Sequence, residues 1–360
     1  MYQKNKIRGK HFMAESYSEQ IDQKNILKLR ELLATLPPFC KQFFRGIQDT
    51  TSSRTRIAYA YDLHVFFDFL HQTNGVYRKM DIVDFPLSLL DQLEREDIVE
   101  YSEYLNLYIK DGKKITNDER GKTRKLASLR TFYNFYYCNE LIKNNPAVLV
   151  PLPKLHQKEI VRLEANEVVT LLDQVEEGTK LTQSQTRYHN KTKVRDLALL
   201  TLLLGTGIRV SECVGLDITD VDFNTNGIKI HRKGGYETIV YFGSEVEAAL
   251  LDYLKQRHHI VPLSGHENAL FLSMQNRRIT VRAVENLVKK YASLVTNLKK
   301  ITPHKLRSTY GTTLYQETGD IYLVADVLGH KDVNTTKKHY AAMEDSNRRK
   351  AARIVKLRDV

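Results

Sequence analysis

The chain has 360 residues, 42% of them hydrophobic and 27% charged, the make-up of a globular protein long enough for two domains. Its 55 Lys and Arg exceed its 43 Asp and Glu, and the net charge of +12 points to a polyanionic partner. The longest apolar run, Leu197 to Leu204, is too short to cross a bilayer, and the basic start "MYQKNKIRGKHF" has no apolar stretch behind it, so neither a membrane protein nor a secreted one is expected.

The first half reads as helix after helix. "NILKLRELLATL" spaces its apolar residues by three and four and stops at Pro37-Pro38. "TSSRTRIAYAYDLHVFFDFLHQTNG" opens on Ser/Thr caps, sets Ala58, Leu63, Phe66, Phe67 and Leu70 on one side and closes at Asn74-Gly75. "PLSLLDQLEREDIVEYSEYLNLYI" predicts two short helices, and "TRKLASLRTFYNFYYCNEL" another amphipathic one. No strand is expected before Asn145. Pro146, Pro151 and Pro153 then fix an extended backbone, which reads as an interdomain linker.

A new helix is expected from about Ala165. The polar stretch "GTKLTQSQTRYHNKTK" (178–193) reads as a surface insertion, and "VRDLALLTLLLGTGI" as a central buried helix. "GIKIHRKGGYETIVYF" predicts a hairpin: Ile228, Ile230 and then Ile239, Tyr241 alternate on two β-branched runs, with Gly234-Gly235 as the turn. Helices follow in "SEVEAALLDYLKQR", "TVRAVENLVKKYASLV", "PHKLRSTYGTTLYQET" and "DIYLVADVL", with a last one from about Asn347.

Several side chains could carry chemistry. In "TPHKLRSTY", Thr302 is positioned as an N-cap and Pro303 as the first helical residue, so His304 and Arg307 share one face of a first turn that favours an anion. Arg209 leaves an apolar helix just after two glycines; Glu212 offers it a local ion pair, and a phosphate is the functional alternative. Lys233 stands at the hairpin tip, either solvated or a mobile ammonium brought into a minor groove or to a leaving oxygen. Gly329 reads as a helix C-cap that turns His330, and Tyr340 follows ten residues later. Cys40, Cys138 and Cys213 are too few and too far apart for a disulfide framework or a zinc site, and the histidines lack metal spacing, so no metal is expected.

In order, these residues are Arg209, Lys233, His304-x-x-Arg307, His330 and Tyr340. With that set the chain resembles the tyrosine recombinase (phage integrase) family, whose catalytic pattern is an arginine, a hairpin lysine, His-x-x-Arg, a histidine or tryptophan, and a tyrosine. All six positions match. "TRIAYAYDLHVFFDFL" and "TRKLASLRTFYNFY" resemble the family's core-binding domain, and the length and polar insertion resemble its single-recombinase, XerS-like Xer branch. Ser308 departs from the many relatives with a second histidine there, at a position that is not catalytic.

The resemblance implies a mainly α fold with a small antiparallel β-sheet, arranged as a two-domain, C-shaped DNA clamp. Its expected parts are a flexible extension (1–20), a helical, SAM-like core-binding domain (21–145), a linker (146–164) and an α+β catalytic domain (165–360) ending in an exchange helix. It implies a cytoplasmic enzyme that cleaves and rejoins DNA through a 3′-phosphotyrosine, with neither ATP nor a metal cofactor. Tyr340 would be the nucleophile, His304 the base, Lys233 the leaving-group acid, and Arg209, Arg307 and His330 the phosphate holders. The implied partners are duplex DNA with an inverted-repeat site and further copies of the chain, a dimer per site and a tetramer in synapsis, with a translocase or other accessory factor. Thr55, Lys122, Arg124, Lys125, Arg130, Arg277, Arg278, Arg282 and Lys305 are candidate DNA contacts. Resolution of chromosome dimers at a dif-like site is the expected role; integration of a mobile element, or DNA binding without catalysis, are the alternatives.

Overall fold

The fold is given by a computed structural model that describes residues 16–156, 161–232, 236–330, 332, 333 and 336. The chain divides into two compact units, Met1–Gln157 and Lys158–Val360. Both are mainly helical with small antiparallel sheets. No helix among the described residues is long and apolar enough to cross a membrane.

The first unit holds α1 (Tyr17–Ala34), α2 (Cys40–Gly46), α3 (Ser53–Thr73), α4 (Leu89–Gln92), α5 (Arg95–Tyr104), β1 (Leu107–Lys110), β2 (Lys113–Thr116) and α6 (Glu119–Cys138). Its caps are local: Ser16 and Glu19 form a reciprocal capping box on α1, Ser52 caps α3 and Asp118 caps α6. The α3 stripe is buried at Leu63, Phe66, Phe67 and Leu70, while Ala58 stays half-buried. It meets an aromatic core: Phe132 packs edge-to-face on Phe43 and Tyr136, each 5.1 Å between ring centres.

Two expectations fail in this unit. "LNLYIKDGKKIT" is a hairpin, with Tyr108 opposite Ile115 and Asp111 and Gly112 both at positive φ in the turn. Asp-Gly is a strong hairpin signal, and the neighbouring helical pattern masked it. The proline-rich linker also starts later than expected. Pro146–Val148 is a single 3₁₀ turn, and Ala147 and Val150 belong to the first unit's core.

The second unit holds α7 (Ala165–Glu176), α8 (Gln183–Thr206), α9 (Val210–Gly215), β3 (Val221–Asp222), β4 (Gly227–His231), β5 (Glu237–Tyr241), α10 (Ser244–Arg257), α11 (Val281–Ala292), α12 (Pro303–Thr318) and α13 (Ile321–Leu328). Helix α8 is central and packs on α7, α10 and α12. Its Ala198, Leu199, Leu200, Leu202 and Leu203 are buried, as a continuous apolar run demands.

The polar stretch 178–193 is mostly exposed, as its composition suggests. From Gln183 it is the first half of α8, opened by a Thr182–Gln185 capping box. His189 and Thr192 are buried there: Thr192 donates to Asp196 at 2.9 Å, Tyr291 donates to Asp196 at 3.1 Å, and His189 Nδ1 lies 3.0 Å from the Tyr291 hydroxyl. The sequence pattern shows polarity but not this shared acceptor.

The sheet runs β3-β4-β5. Ile228 and Ile230 point inward, opposite Val240 and Thr238. Ile239 and Tyr241 therefore lie on the outer face, 55% and 66% exposed, rather than joining the buried row.

Candidate active site

The site is built on the ends of helices. Helix α8 stops at Thr206, and Gly207 caps it in the left-handed region at φ 63°. A side chain at Gly207 would also strike Tyr310 and Leu328, so only glycine fits this turn. Two residues on, Arg209 is the N-cap of α9. Glu212 accepts from its guanidinium at 2.8 Å and from its backbone N–H at 2.7 Å. The expected local ion pair is present, and it aims the arginine: another nitrogen of Arg209 donates to the Gly329 carbonyl at 3.3 Å.

Helix α12 begins at Pro303, with Thr302 in the N-cap position. The Thr302 side chain makes no capping bond; its carbonyl accepts the first helical N–H groups, from Lys305 at 2.8 Å and Leu306 at 3.1 Å. His304 is exposed on the first turn. Arg307, one turn later, is 4% exposed. Its guanidinium donates to the Gly207 carbonyl at 2.5 Å and to the Leu328 carbonyl.

Helix α13, capped by Asp320, ends at Gly329, which has φ 61° and ψ 49°. The reading of Gly329 as a C-cap holds. The Gly329 N–H bonds the Asp326 carbonyl at 2.8 Å and the His330 N–H bonds the Ala325 carbonyl at 2.9 Å, which reverses the chain. His330 is half-buried, and its Nδ1 lies 2.7 Å from the hydroxyl of the buried Thr336.

Arg209, Arg307 and His330 thus meet around one helix end, with His304 a turn from Arg307. Lys233 and Tyr340 lie outside the described residues, as does the C-terminal exchange helix.

Sequence reasoning missed Arg232, whose only signal was its place before Lys233. It reaches the same helix end, donating to the carbonyls of Asp326 at 3.2 Å and Val327 at 2.7 Å. Burial lowers the pKa of this guanidinium, the charge of Arg209 adds to the effect, and Glu212 opposes it.

The candidate DNA contacts divide. Lys125 is buried and donates to Asn117 at 2.6 Å. Arg130 donates to the carbonyls of Ala147, at 3.0 Å, and Val150. Arg278 pairs with Asp217 and donates to the Leu216 carbonyl at 2.8 Å. These three side chains bond within their own units. Arg124 pairs with buried Asp62 yet keeps half its side chain exposed. Lys122 donates to Asn106 at 3.0 Å, Thr55 faces Ser52 at 2.9 Å, and Arg282 pairs with Glu285 at 3.2 Å on an exposed surface. Arg277 is exposed and Lys305 half-buried.

The chain is similar to known proteins in both sequence and fold. The phage integrase family model matches residues 161–347. The tyrosine recombinase XerC of Caldanaerobacter subterraneus subsp. tengcongensis is 32% identical over 329 residues, which cover 88% of this chain and 86% of that protein. Two solved structures share the fold. XerH site-specific recombinase bound to palindromic difH substrate gives a TM-score of 0.64 at 18% identity, over 92% of this chain and 89% of that one. The Tn1549 transposon integrase in complex with circular intermediate DNA gives 0.61 at 20% identity, over 84% and 94%.

Proposed function

We propose a mechanism for a chain that belongs to the phage integrase family and is a site-specific recombinase: Tyr340 attacks a scissile DNA phosphate, and five other side chains serve that attack. The observation that carries this reading is the convergence of Arg209 and Arg307 on the successive carbonyls of Gly329 and Leu328, directly before His330. Two guanidiniums fixed beside a turned histidine form a cationic seat suited to a phosphate.

A tyrosine hydroxyl has an ordinary pKa near 10, so it must lose its proton as it attacks. His304 accepts that proton. The Tyr340 oxygen bonds to phosphorus, Arg209 and Arg307 stabilise the charge on the non-bridging oxygens, and His330 donates to one of them. The bond from phosphorus to the 5′-oxygen breaks, and Lys233 protonates the leaving oxygen. The products are a 3′-phosphotyrosine and a 5′-hydroxyl. The phosphodiester energy is kept, so attack by a 5′-hydroxyl runs the same steps in reverse without ATP.

The substrate is duplex DNA with an inverted-repeat site. Two copies bind per site and four in synapsis, with an accessory factor such as a translocase controlling exchange. Thr55, Lys122, Arg124, Arg277, Arg282 and Lys305 contact the DNA. The net charge of +12 supports this partner. The role is the resolution of chromosome dimers at a dif-like site, supported by the likeness to a XerC protein over most of both lengths.

A cleavage map on chromosomal DNA tests the role. Cuts within a palindrome near the replication terminus are expected. Cuts confined to the ends of a mobile element would replace this role with integration.

A further inference from the structure

Four successive carbonyls at the end of α13 each accept a hydrogen bond from an arginine. Arg232 takes those of Asp326 and Val327, Arg307 that of Leu328, and Arg209 that of Gly329. The last carbonyls of a helix lack partners within it and carry the negative end of its dipole, so cations belong there. Arg209 and Arg307 have roles in the reaction proposed above. Arg232 has none, yet it holds as many of these carbonyls as the other two together.

Arg232 is fixed at both ends. Its backbone N–H donates to the Tyr236 carbonyl at 2.8 Å, across the mouth of the β4–β5 hairpin. Its guanidinium lies against Gly329: a Cβ placed there would come within 1.7 Å of one guanidinium nitrogen. Gly329 is therefore constrained twice, by its positive φ and by the arginine over its Cα. The residue after Arg232 is Lys233, and the residue after Gly329 is His330.

We propose that Arg232 is a positioning residue that ties the hairpin carrying Lys233 to the turn carrying His330, so that the leaving-group acid is held in register with the phosphate seat. The inference rests on the roles proposed for Lys233 and His330. It adds no bond-making step: the proton still passes from the Lys233 ammonium to the 5′-oxygen as the phosphorus–oxygen bond breaks. Arg232 takes no part in that transfer and acts through Lys233.

The choice of leaving group isolates this role. A bridging 5′-sulfur departs as a thiolate without help, because a thiol is far more acidic than an alcohol. On a nicked duplex with the natural 5′-oxygen, Arg232→Ala is expected to slow single-turnover cleavage by about 10²-fold, the worth of a well-placed general acid. With a 5′-sulfur at the same phosphate, its rate should come within about threefold of the unmodified protein. Arg232→Lys, which keeps the charge and loses the fork, should fall between on oxygen and show the same rescue.

The ratio of sulfur to oxygen rates is independent of how much protein folds, and DNA affinity checks the rest. Equal slowing on both substrates would overturn the proposal, as would full activity of Arg232→Ala on oxygen. Lys233→Ala is the control. If sulfur rescues it but not Arg232→Ala, only the role of Arg232 falls. If sulfur fails to rescue Lys233→Ala, the acid assignment falls and takes this inference with it.

Discussion

Glu212 holds Arg209 by two atoms, one carboxylate oxygen on its guanidinium and the other on its backbone N–H. The carboxylate is buried while the arginine is half-exposed, so Glu212 works as an anchor that aims a cation outward. Glu212→Gln keeps the shape and loses the charge. Losing charge-assisted bonds of this kind costs about 1–3 kcal/mol. Cleavage should fall by about 10- to 100-fold while DNA affinity changes little. Rate and affinity measured on the same half-site DNA check this.

Gly329→Ala combines a left-handed backbone with a collision against Arg232. The strain alone costs about 1–3 kcal/mol. The melting temperature should drop, and cleavage should fall further than the lost stability accounts for, because His330 is the next residue. A variant with the melting temperature of the parent would show that the turn relaxes freely.

Arg307→Lys keeps a positive charge in a buried place but cannot span the carbonyls of Gly207 and Leu328. One of them loses its bond, at about 1–3 kcal/mol. Loss of the bidentate donor should slow cleavage by about 10²–10³-fold. Thermal melting separates the first effect from single-turnover rates, which read the second.

His189 predicts a pH dependence. It is 1% exposed, and burial together with the nearby Lys290 and Lys193 charges lowers its pKa below 6.5, against Asp196. The unfolded chain therefore takes up a proton first as pH falls. The stability it contributes is full above pH 6.5 and is lost as pH falls from there toward the lowered folded value. Urea midpoints should decline over that window, and His189→Gln should make the decline shallower.

Much of the site was legible in the sequence because its signals are local. Gly329 as a cap, Pro303 at a helix start and Glu212 three residues from Arg209 are all short-range relationships. The partners of Lys125, Arg130 and Arg278 lie up to 64 residues away along the chain, and no spacing rule reveals them. The buried bonds of α8 were hidden for the same reason: Tyr291 donates to Asp196 across 95 residues. The hairpin at Asp111-Gly112 is a different case, since its turn signal was present and the helices around it were weighed more heavily. Arg232 was invisible because its function lies in a contact with α13, 94 residues on.

The central claim is that Tyr340 is the nucleophile. On a nicked duplex that lets the cleaved 5′ end diffuse away, the unmodified protein should accumulate a covalent protein–DNA adduct. Tyr340→Phe should bind the same DNA with unchanged affinity and form none. A covalent adduct from Tyr340→Phe would contradict the account.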